Sequence, residues 1–429
     1  MGHKTKKNMK KTLLYFSALL ISVSLGLVSC STEETGGDAQ VTSLTLDKNI
    51  LTAHTTDVKT LNATVTPVSA SIQWTSSDTK VAIVSNTGEI KATGAGTAVI
   101  TAKAGDKQAS CTVTVTESVF VAGRSTDYGV LWKNGEIYEM QDKFSYDSYQ
   151  SVFVYEGDVY VAGWRRLGTG SNYYQLPTLW KNGVRQDLEL DTQHRGGIAY
   201  DVFVSNGDVY VAGNESRPRP GWAGSLDYDA VMWKNGKKHR LNPGGLTGEP
   251  RANSVFVQGA DVYFAGWASS LPVFWKNGEL HRLERVMNIG VSGGTPIHGG
   301  GEVFSIAASG DKVYVAGTVD VEWHSWGNST AAALWINGKL QILNETTSAR
   351  SVFVYGQDVY MVGMSNTMWI NGIKQEQPCG TFSVFVYDGD VYSCGGINER
   401  GLWKNGVKQE LSTSGLPTIY PHQNSVFVK

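Results

Sequence analysis

Cysteine and proline are scarce in this sequence, which has 4 cysteines and 11 prolines among 429 residues. So few cysteines exclude a fold held together by a disulfide framework. The sequence also lacks HxH, HExxH, CxxC, GxSxG and glycine-rich phosphate-loop motifs, so no spacing indicates a metal, nucleophilic or phosphate site. We therefore expect no cofactor and no metal.

Glycine is abundant, at 49 residues, and turn-forming dipeptides are spread evenly along the chain. This composition is typical of short strands joined by tight turns, and it predicts a mostly β protein. The length exceeds the roughly 100–200 residues of one ordinary domain, so two or more domains are expected.

The N-terminus has the layout of an export signal. Five lysines precede an uncharged apolar run over residues 13–29. The run ends in Leu27-Val28-Ser29-Cys30, which resembles the lipobox of bacterial lipoproteins, in which the cysteine is diacylated and becomes the mature N-terminus. A plain signal peptide is the alternative, and either Met1 or Met9 is the natural start. The acidic tether that follows, residues 30–40, resembles signals of surface-displayed outer-membrane lipoproteins.

The charge argues against a nucleic-acid partner. Removing residues 1–29 takes away five of the 37 basic residues and none of the 39 acidic ones, which leaves a formal charge of −7. A general nucleic-acid-binding protein needs a basic surface. The lipid on Cys30 would be the chain's contact with the membrane.

Residues 41–116 alternate apolar and polar residues in short segments with turns every eight to twelve residues, as in a β-sandwich. The segments "QWTSSD" from Gln73, "VAIV" from Val81 and "GAGTA" from Gly94 lie in the order found in group 2 bacterial immunoglobulin-like (BIG2) domains. The resemblance implies an immunoglobulin-like spacer or adhesive module, with Trp74 in its core.

From residue 117 onward the sequence repeats. Each unit holds "SVFV", a two-residue turn, "DVYVAG", a variable stretch, and a W-[KI]-N-G segment. The repeat tryptophans are Trp132, Trp180, Trp233, Trp275, Trp335, Trp369 and Trp403. Pairs such as Asn206-Gly207 suit two-residue hairpin turns, so each unit predicts four antiparallel strands, which is one β-propeller blade.

Counting the units predicts how the ring closes. The first unit lacks its own inner strand, and the chain ends in a spare "SVFVK". The sequence thus predicts a seven-bladed β-propeller over residues 117–429, closed by the C-terminal strand. The repeat tryptophans are expected to pack one blade on the next, since both faces of each sheet must be buried; a ring of chemically active tryptophans is the alternative.

The repeats differ only between the second and third strands and between the fourth strand and the next blade. Strand polarity puts both variable connections on one face, where binding residues gather on a rigid scaffold. Ten of the 13 arginines fall in these segments: Arg124, Arg165, Arg166, Arg195, Arg217, Arg219, Arg251, Arg285, Arg350 and Arg400. Guanidinium groups suit carboxylate, sulfate or phosphate. Alternatively, these arginines pin long loops to Asp227, Asp229, Glu249, Glu322 or Glu399.

Aromatic residues follow the same segments. Trp164, Trp222, Trp267, Trp323 and Trp326 lie between second and third strands, with Tyr173, Tyr174 and Tyr228 nearby. Such rings offer apolar platforms for sugars or protein side chains, although Trp164 and Trp267 are expected to pack on the scaffold. The ligand-binding prediction comprises Arg165, Arg166, Tyr173, Tyr174, His194, Arg217, Arg219, Trp222, Arg251, Trp323 and Trp326.

Three smaller predictions complete the pattern. His194, His298, His324 and His422 lie in variable segments without a catalytic spacing. Asp201 and Glu302 are expected where five other blades have serine, which would place two carboxylates at the channel mouth and leaves a cation as an alternative. Cys379 and Cys394 are expected to form a disulfide, because Cys394 should lie opposite Ser383 in an oxidising compartment, whereas Cys111 should stay reduced.

The sequence therefore predicts an exported, lipid-anchored surface protein whose propeller binds a glycan, neutral or anionic. A polysaccharide lyase or hydrolase on the same scaffold is the alternative, and a protein-binding adhesin is the third possibility. Neither the ligand nor the oligomeric state follows from the sequence.

Overall fold

The computed structural model describes residues 40–125, 128–141, 146–169, 172–191, 196–219, 226–241, 249–268, 271–286, 300–324, 327–344, 347–395, 401–413 and 419–429. Every regular element in these ranges is a strand, so the predicted all-β class is confirmed. Within the same ranges, no helix combines the length and the apolar character that crossing a membrane requires.

Nine strands between residues 43 and 116 form three sheets. They are β1 (Ser43–Leu46), β2 (Ile50–His54), β3 (Val58–Thr60), β4 (Ala63–Thr66), β5 (Gln73–Ser76), β6 (Ala82–Val84), β7 (Glu89–Ala92), β8 (Gly96–Ala104) and β9 (Lys107–Thr116). The sheet orders are β1-β4, β2-β9-β8-β5 and β3-β7-β6. Alternate residues of β8 and β9 face inward, as the period of two requires. Trp74 is partly buried and packs against the core of this sandwich.

Residues 119–428 form seven four-stranded sheets. Their strands are β10 (Val119–Ser125), β11 (Gly129–Lys133), β12 (Glu136–Tyr138), β13 (Ser148–Tyr155), β14 (Asp158–Thr169), β15 (Asn172–Lys181), β16 (Val184–Asp187), β17 (Gly196–Ser205), β18 (Asp208–Pro218), β19 (Leu226–Lys234), β20 (Lys237–Arg240), β21 (Arg251–Gln258), β22 (Asp261–Ala268), β23 (Leu271–Lys276), β24 (Glu279–Arg282), β25 (Gly301–Ser309), β26 (Lys312–His324), β27 (Gly327–Ile336), β28 (Lys339–Asn344), β29 (Ala349–Tyr355), β30 (Asp358–Gly363), β31 (Thr367–Ile370), β32 (Ile373–Glu376), β33 (Ser383–Tyr387), β34 (Asp390–Gly395), β35 (Gly401–Lys404), β36 (Val407–Gln409) and β37 (Ile419–Val428).

Six of these sheets are meanders of four consecutive strands, from β13-β14-β15-β16 to β33-β34-β35-β36. The remaining sheet has the order β12-β11-β10-β37, so the C-terminal strand pairs with β10. In register, Val119, Phe120 and Val121 lie opposite Val428, Phe427 and Val426. A repeated antiparallel four-stranded sheet is the β-propeller-like arrangement that the sequence predicts.

The Asn-Gly of each W-[KI]-N-G segment makes the second hairpin turn. The seven asparagines have φ between 50° and 54°, and the following glycines have φ between 77° and 85°, as a two-residue type I′ turn requires. Each asparagine Oδ1 also accepts a hydrogen bond from the backbone N–H of a valine at the first or second position of the second strand, as Asn182 accepts from Val159 at 2.8 Å. The motif therefore fixes both the turn and the adjacent strand.

The repeat tryptophans are structural. All seven are buried, with exposures of 0–1%. Trp180 packs edge-on against Tyr149 of its own sheet, with ring centroids 4.9 Å apart. It also shares a hydrophobic cluster with Phe120 and Leu131 of the preceding sheet, as Trp233 does with Leu179, so these tryptophans pack sheet on sheet.

The phenylalanines of the inner strands pack against one another across neighbouring sheets. Neighbouring rings lie 4.5–5.1 Å apart from Phe256 through Phe203, Phe153, Phe427 and Phe385 to Phe353. In β25 a buried residue, Ala307, pairs with Tyr314 as five of the phenylalanines pair with the equivalent tyrosines of their own sheets. Apolar side chains of the inner strands therefore pack from sheet to sheet.

Residues 41–429 form one compact unit. The sandwich contacts the first two four-stranded sheets through ion pairs, one of which joins Lys91 to Asp158 at 2.7 Å. Four of the seven units join the lysine of WKNG to an aspartate of the second strand, as Lys181 joins Asp158 at 2.9 Å. In the first unit Ser118 replaces that aspartate, and Lys133 pairs with Asp57 of the sandwich at 2.6 Å. Thr55, which is fully buried, donates to the backbone oxygen of Lys429 at 2.5 Å.

Candidate functional site

The inner strands carry a repeated β-bulge near their first residues. The register with the second strand shifts at one residue in each of five sheets. The residues at the shifts are Gln150, Tyr200, Asn253, Phe304 and Arg350. A bulge turns one side chain away from the regular alternation. Each of the five sheets has a different residue type at its bulge. The bulges lie near the end of the inner strands where the variable connections join them.

All five bulge residues line one cavity, which we call the axial pocket. It has a volume of about 280 Å³ and is lined by Gln150, Tyr200, Arg251, Asn253, Phe304, Arg350 and Phe382. Phe382 directly precedes the inner strand β33. The pocket therefore combines two guanidinium groups, two amides, a phenol and two aromatic rings.

The floor of the axial pocket is a chain of hydrogen bonds between inner strands. The residue after each bulge is Ser151, Asp201, Ser254, Ser305 or Ser351. Each contacts the next sheet, as when Val352 donates its N–H to Ser305 Oγ at 3.1 Å and Val384 donates to Ser351 Oγ at 3.2 Å. Ser383 continues the pattern by accepting from Val426 at 3.2 Å. These contacts hold the bulges in one layer.

Asp201 is the one carboxylate in this layer. It accepts hydrogen bonds from Ser151 Oγ at 2.6 Å, Ser254 Oγ at 2.9 Å and two backbone N–H groups at 2.9 Å. Burial raises the pKa of Asp201, and these hydrogen bonds act in the opposite direction. The equivalent position of β25 is Ser305, which pairs with Ala316 as Ser151 pairs with Ala162. The prediction that Glu302 occupies this position is therefore wrong.

The cation alternative rests on Asp201 and Glu302, which both lie in the part of the chain that the structure describes. No group of three or more histidine, cysteine, aspartate or glutamate side chains is arranged there to hold a metal ion. Glu302 pairs in register with Thr318, three residues before Ser305.

Arg350 is one of the two arginines that line the axial pocket. Its guanidinium lies 4.0 Å above the Phe304 ring and 5.9 Å from the Phe382 ring. Its hydrogen bonds go to neutral atoms, from Nε to Ser348 Oγ at 3.0 Å and from Nη2 to Met364 Sδ at 3.2 Å. Burial lowers the pKa of Arg350. Among the described residues, no carboxylate forms an ion pair with it.

Arg251 lies beside Arg350 and is partly paired. Its Nη2 lies 3.5 Å from Glu302 Oε1, and both side chains are substantially exposed. Its buried Nε has no hydrogen-bond partner among the described residues. Burial raises the pKa of Tyr200, and the nearby Arg251 charge opposes that effect. Arg251, which the sequence analysis includes among the predicted ligand-binding residues, thus lines the axial pocket.

Other predicted binding residues lie on extended hairpins rather than loops. Strands β14 and β15 continue past the body of their sheet, so that Arg165 pairs with Leu176 and Arg166 with Gln175. The Arg166 guanidinium lies 4.0 Å from the Tyr173 ring, which is half exposed, and Tyr174 is exposed as well. The expectation of loops between these second and third strands is therefore wrong.

Arg217 and Arg219 are engaged in ion pairs. Arg217 lies 3.3 Å from both Asp227 and Asp229, and Arg219 lies 2.7 Å from Asp227. These contacts join β18 to the start of β19. Arg217 and Arg219 therefore fit the alternative interpretation, in which arginines hold the variable segments through ion pairs with nearby aspartates.

Several predicted residues lie outside the described part of the chain. Cys30, His194, Trp222 and Trp326 are among them, as is the side chain of Trp323. Their predicted roles remain predictions.

The predicted disulfide between Cys379 and Cys394 is absent from the structure, which holds both as buried thiols, as it does Cys111. Cys394 does lie opposite Ser383, as predicted. The segment before Ser383 turns toward the preceding sheet instead, where Thr381 N–H donates to the Gly363 oxygen at 3.2 Å. Burial raises the pKa of Cys394 to about 12.

Sequence reasoning missed most of the axial pocket. Six of its seven residues stand immediately before the serine or aspartate of the inner-strand layer, and glutamine, tyrosine, asparagine, phenylalanine and arginine occur there without pattern. That variation is the signal that could have revealed the pocket, since the adjoining positions keep the repeat.

The fold and the axial pocket define an all-β protein with a sandwich and a propeller-like repeat. Residues 40–115 match the family model of the bacterial Ig-like domain (group 2), which confirms the BIG2 resemblance of that segment. An uncharacterised protein of Clostridium acetobutylicum is 36% identical over 117 residues, or 26% of this chain and 12% of that protein. The match therefore spans about an eighth of that relative's length.

Solved structures with similar folds are distant. A sialidase of Trypanosoma rangeli in complex with sialic acid has a TM-score of 0.35 and 10% identity, over 73% of this chain and 58% of its own. An exo-1,5-alpha-L-arabinanase from a bovine ruminal metagenomic library has a TM-score of 0.30 and 10% identity, over 62% of this chain and 97% of its own. A quinonprotein alcohol dehydrogenase-like protein of Bacteroides thetaiotaomicron has a TM-score of 0.32 and 10% identity, over 88% of this chain and 96% of its own. Likenesses of this size carry no argument about function.

Proposed function

We propose that this chain is an exported, lipid-anchored protein of the bacterial surface that binds a glycan in the axial pocket. The observation that carries the proposal is the set of five bulges that direct five different side chains into one cavity. A scaffold that needed only stability would gain nothing from such variation at otherwise repeated positions.

The chemistry of the axial pocket suits a sugar. Phenylalanine rings offer apolar surface to a sugar ring face, and the amide and phenol groups offer donors and acceptors to hydroxyls. The volume of about 280 Å³ lies just below the usual range of ligand pockets, about 300–1,000 Å³, and suits one sugar residue of a longer chain.

We further propose that the seven sheets are the blades of one closed propeller over residues 117–429. The supporting observation is the run of contacts through the inner strands. It passes from Ser383 to Val426 at 3.2 Å, and from Ser425 Oγ to the Val152 oxygen at 3.4 Å. The C-terminal strand thereby contacts both the last sheet and the second.

The anchoring part of the proposal comes from the N-terminal sequence. Lipid on Cys30 would hold the protein at the outer membrane, with residues 30–40 as tether and the BIG2 domain of residues 41–116 as spacer. A diacyl group with a further acyl chain supplies the multiple chains that stable anchoring needs.

Glycan-array screening of the purified protein tests the binding proposal. Tyr200→Phe removes one hydroxyl from the axial pocket, and it should weaken binding of the captured glycan about three- to tenfold by the loss of one hydrogen bond. Tyr355→Phe is the matched control, because Tyr355 is exposed at the far end of β29. Equal losses in both variants, or no captured glycan, would overturn the proposal.

A further inference from the structure

The axial pocket contains more positive charge than its surroundings balance. Two of its seven lining residues are arginines, and none is acidic. Glu302, at 3.5 Å from Arg251, is the only described carboxylate that forms an ion pair with either arginine, and its side chain is 43% exposed. Asp201 beneath the pocket is occupied by four hydrogen bonds within the floor.

Arg350 in particular forms no ion pair with a described carboxylate, and the nearby acid that favours its charged form, Glu302, is already paired with Arg251. Its stacking on Phe304 and its bond to Ser348 fix the plane of the guanidinium. A cation removed from water is costly unless an anion or several acceptors compensate it. A planar guanidinium presents two parallel N–H donors that match a carboxylate. The geometry therefore prepares a place for an anionic group of the ligand.

We infer that the axial pocket selects a sugar that bears a carboxylate, such as a uronic or sialic acid residue, with Arg350 as the residue that determines specificity. This inference rests on the proposed glycan-binding function and deepens it. Arg251 lines the same cavity and adds to the preference for an anionic ligand. Tyr200 and Asn253 would form hydrogen bonds with the sugar hydroxyls.

The test compares the affinity of the full purified protein for acidic oligosaccharides with its affinity for the corresponding neutral esters. The probes are oligosaccharides containing uronic or sialic acid, the methyl ester of each, and sulfate esters of the matching neutral sugars. Affinity is measured by calorimetry. The wild-type protein should bind the free acid about ten- to a hundredfold more tightly than its methyl ester, which is the effect of one charge-assisted hydrogen-bonded pair.

Variants assign that preference to one residue. Arg350→Gln should reduce the ratio of acid affinity to ester affinity to near one. Arg350→Lys should retain part of the preference for the acid, because lysine keeps the positive charge but lacks the paired N–H donors of the guanidinium. Arg185→Gln is the control, since Arg185 lies on the outer strand β16 and faces Asp187 at 3.3 Å. Thermal melts of all variants show whether each is folded, and Arg251→Gln provides a second test should Arg350→Gln fail to fold.

The outcomes separate the inference from the proposed function. Binding of methyl esters as tightly as acids, preference for sulfate esters, or a ratio unchanged in both Arg350→Gln and Arg251→Gln would overturn the carboxylate inference and leave glycan binding standing. Failure of every acidic and neutral oligosaccharide to bind would overturn the proposed function itself.

Discussion

Replacing Phe427 by alanine should destabilise the propeller-like region strongly. Phe427 lies in the C-terminal strand, is 8% exposed, and pairs in register with Phe120 of β10. Its ring centroid lies 4.6 Å from that of Phe153 and 4.8 Å from that of Phe385, so it bridges two neighbouring sheets.

The size of the effect follows from these contacts. A buried phenylalanine truncated to alanine costs about 3–5 kcal/mol of the free energy of unfolding, through lost burial and the cavity left behind. Each aromatic contact adds about 0.5–1.5 kcal/mol beyond buried area. Domains are stable by only about 5–15 kcal/mol, so one change of this size removes much of the margin.

Urea unfolding of the wild type and the variant, followed by tryptophan fluorescence, measures the difference. The matched control is Val407→Ala, because Val407 is 65% exposed on the outermost strand β36, where the change should stay within about 0.5 kcal/mol. A loss below about 1 kcal/mol for Phe427→Ala would refute the packing of the C-terminal strand between the second and last sheets.

Three further outcomes are expected. Trp180→Ala should cost about 3–5 kcal/mol in the same urea assay, since Trp180 is fully buried, and a neutral result would contradict its structural role. Burial raises the pKa of Glu215 from 4.5 to about 7, so the folded state binds more protons than the unfolded state between these values and stability should fall as pH rises from about 4.5 to 7. Glu215→Gln should flatten that decline, and an unchanged pH profile would show that Glu215 is not its source. Cys30→Ala should release the protein from the membrane fraction, and unchanged fractionation would exclude the lipid anchor.

The repeated scaffold could be predicted from sequence because its signals are local. An Asn-Gly pair after an alternating segment specifies a hairpin turn, and a tryptophan at the same place in each unit specifies sheet packing. Cys394 opposite Ser383 likewise follows from a two-residue turn and antiparallel pairing. None of these inferences depends on contacts between distant residues.

The axial pocket was harder to predict because it depends on register and on neighbouring sheets. A single-residue bulge redirects Arg350 toward the axis, and no local pattern reports it. In β25, "EVFS" resembles "SVFV". This resemblance led to Glu302 being predicted at the position after the bulge, which Ser305 occupies. Arg217 and Arg219 pair with aspartates that the strand extensions bring opposite them, and the sequence left that alternative open.

A crystal structure of the protein with the tightest-binding array oligosaccharide would show where the sugar binds. We expect sugar density in the axial pocket, with a ring against Phe304 or Phe382 and a carboxylate facing Arg350. An oligosaccharide bound on another surface, with the axial pocket empty, would contradict this expectation.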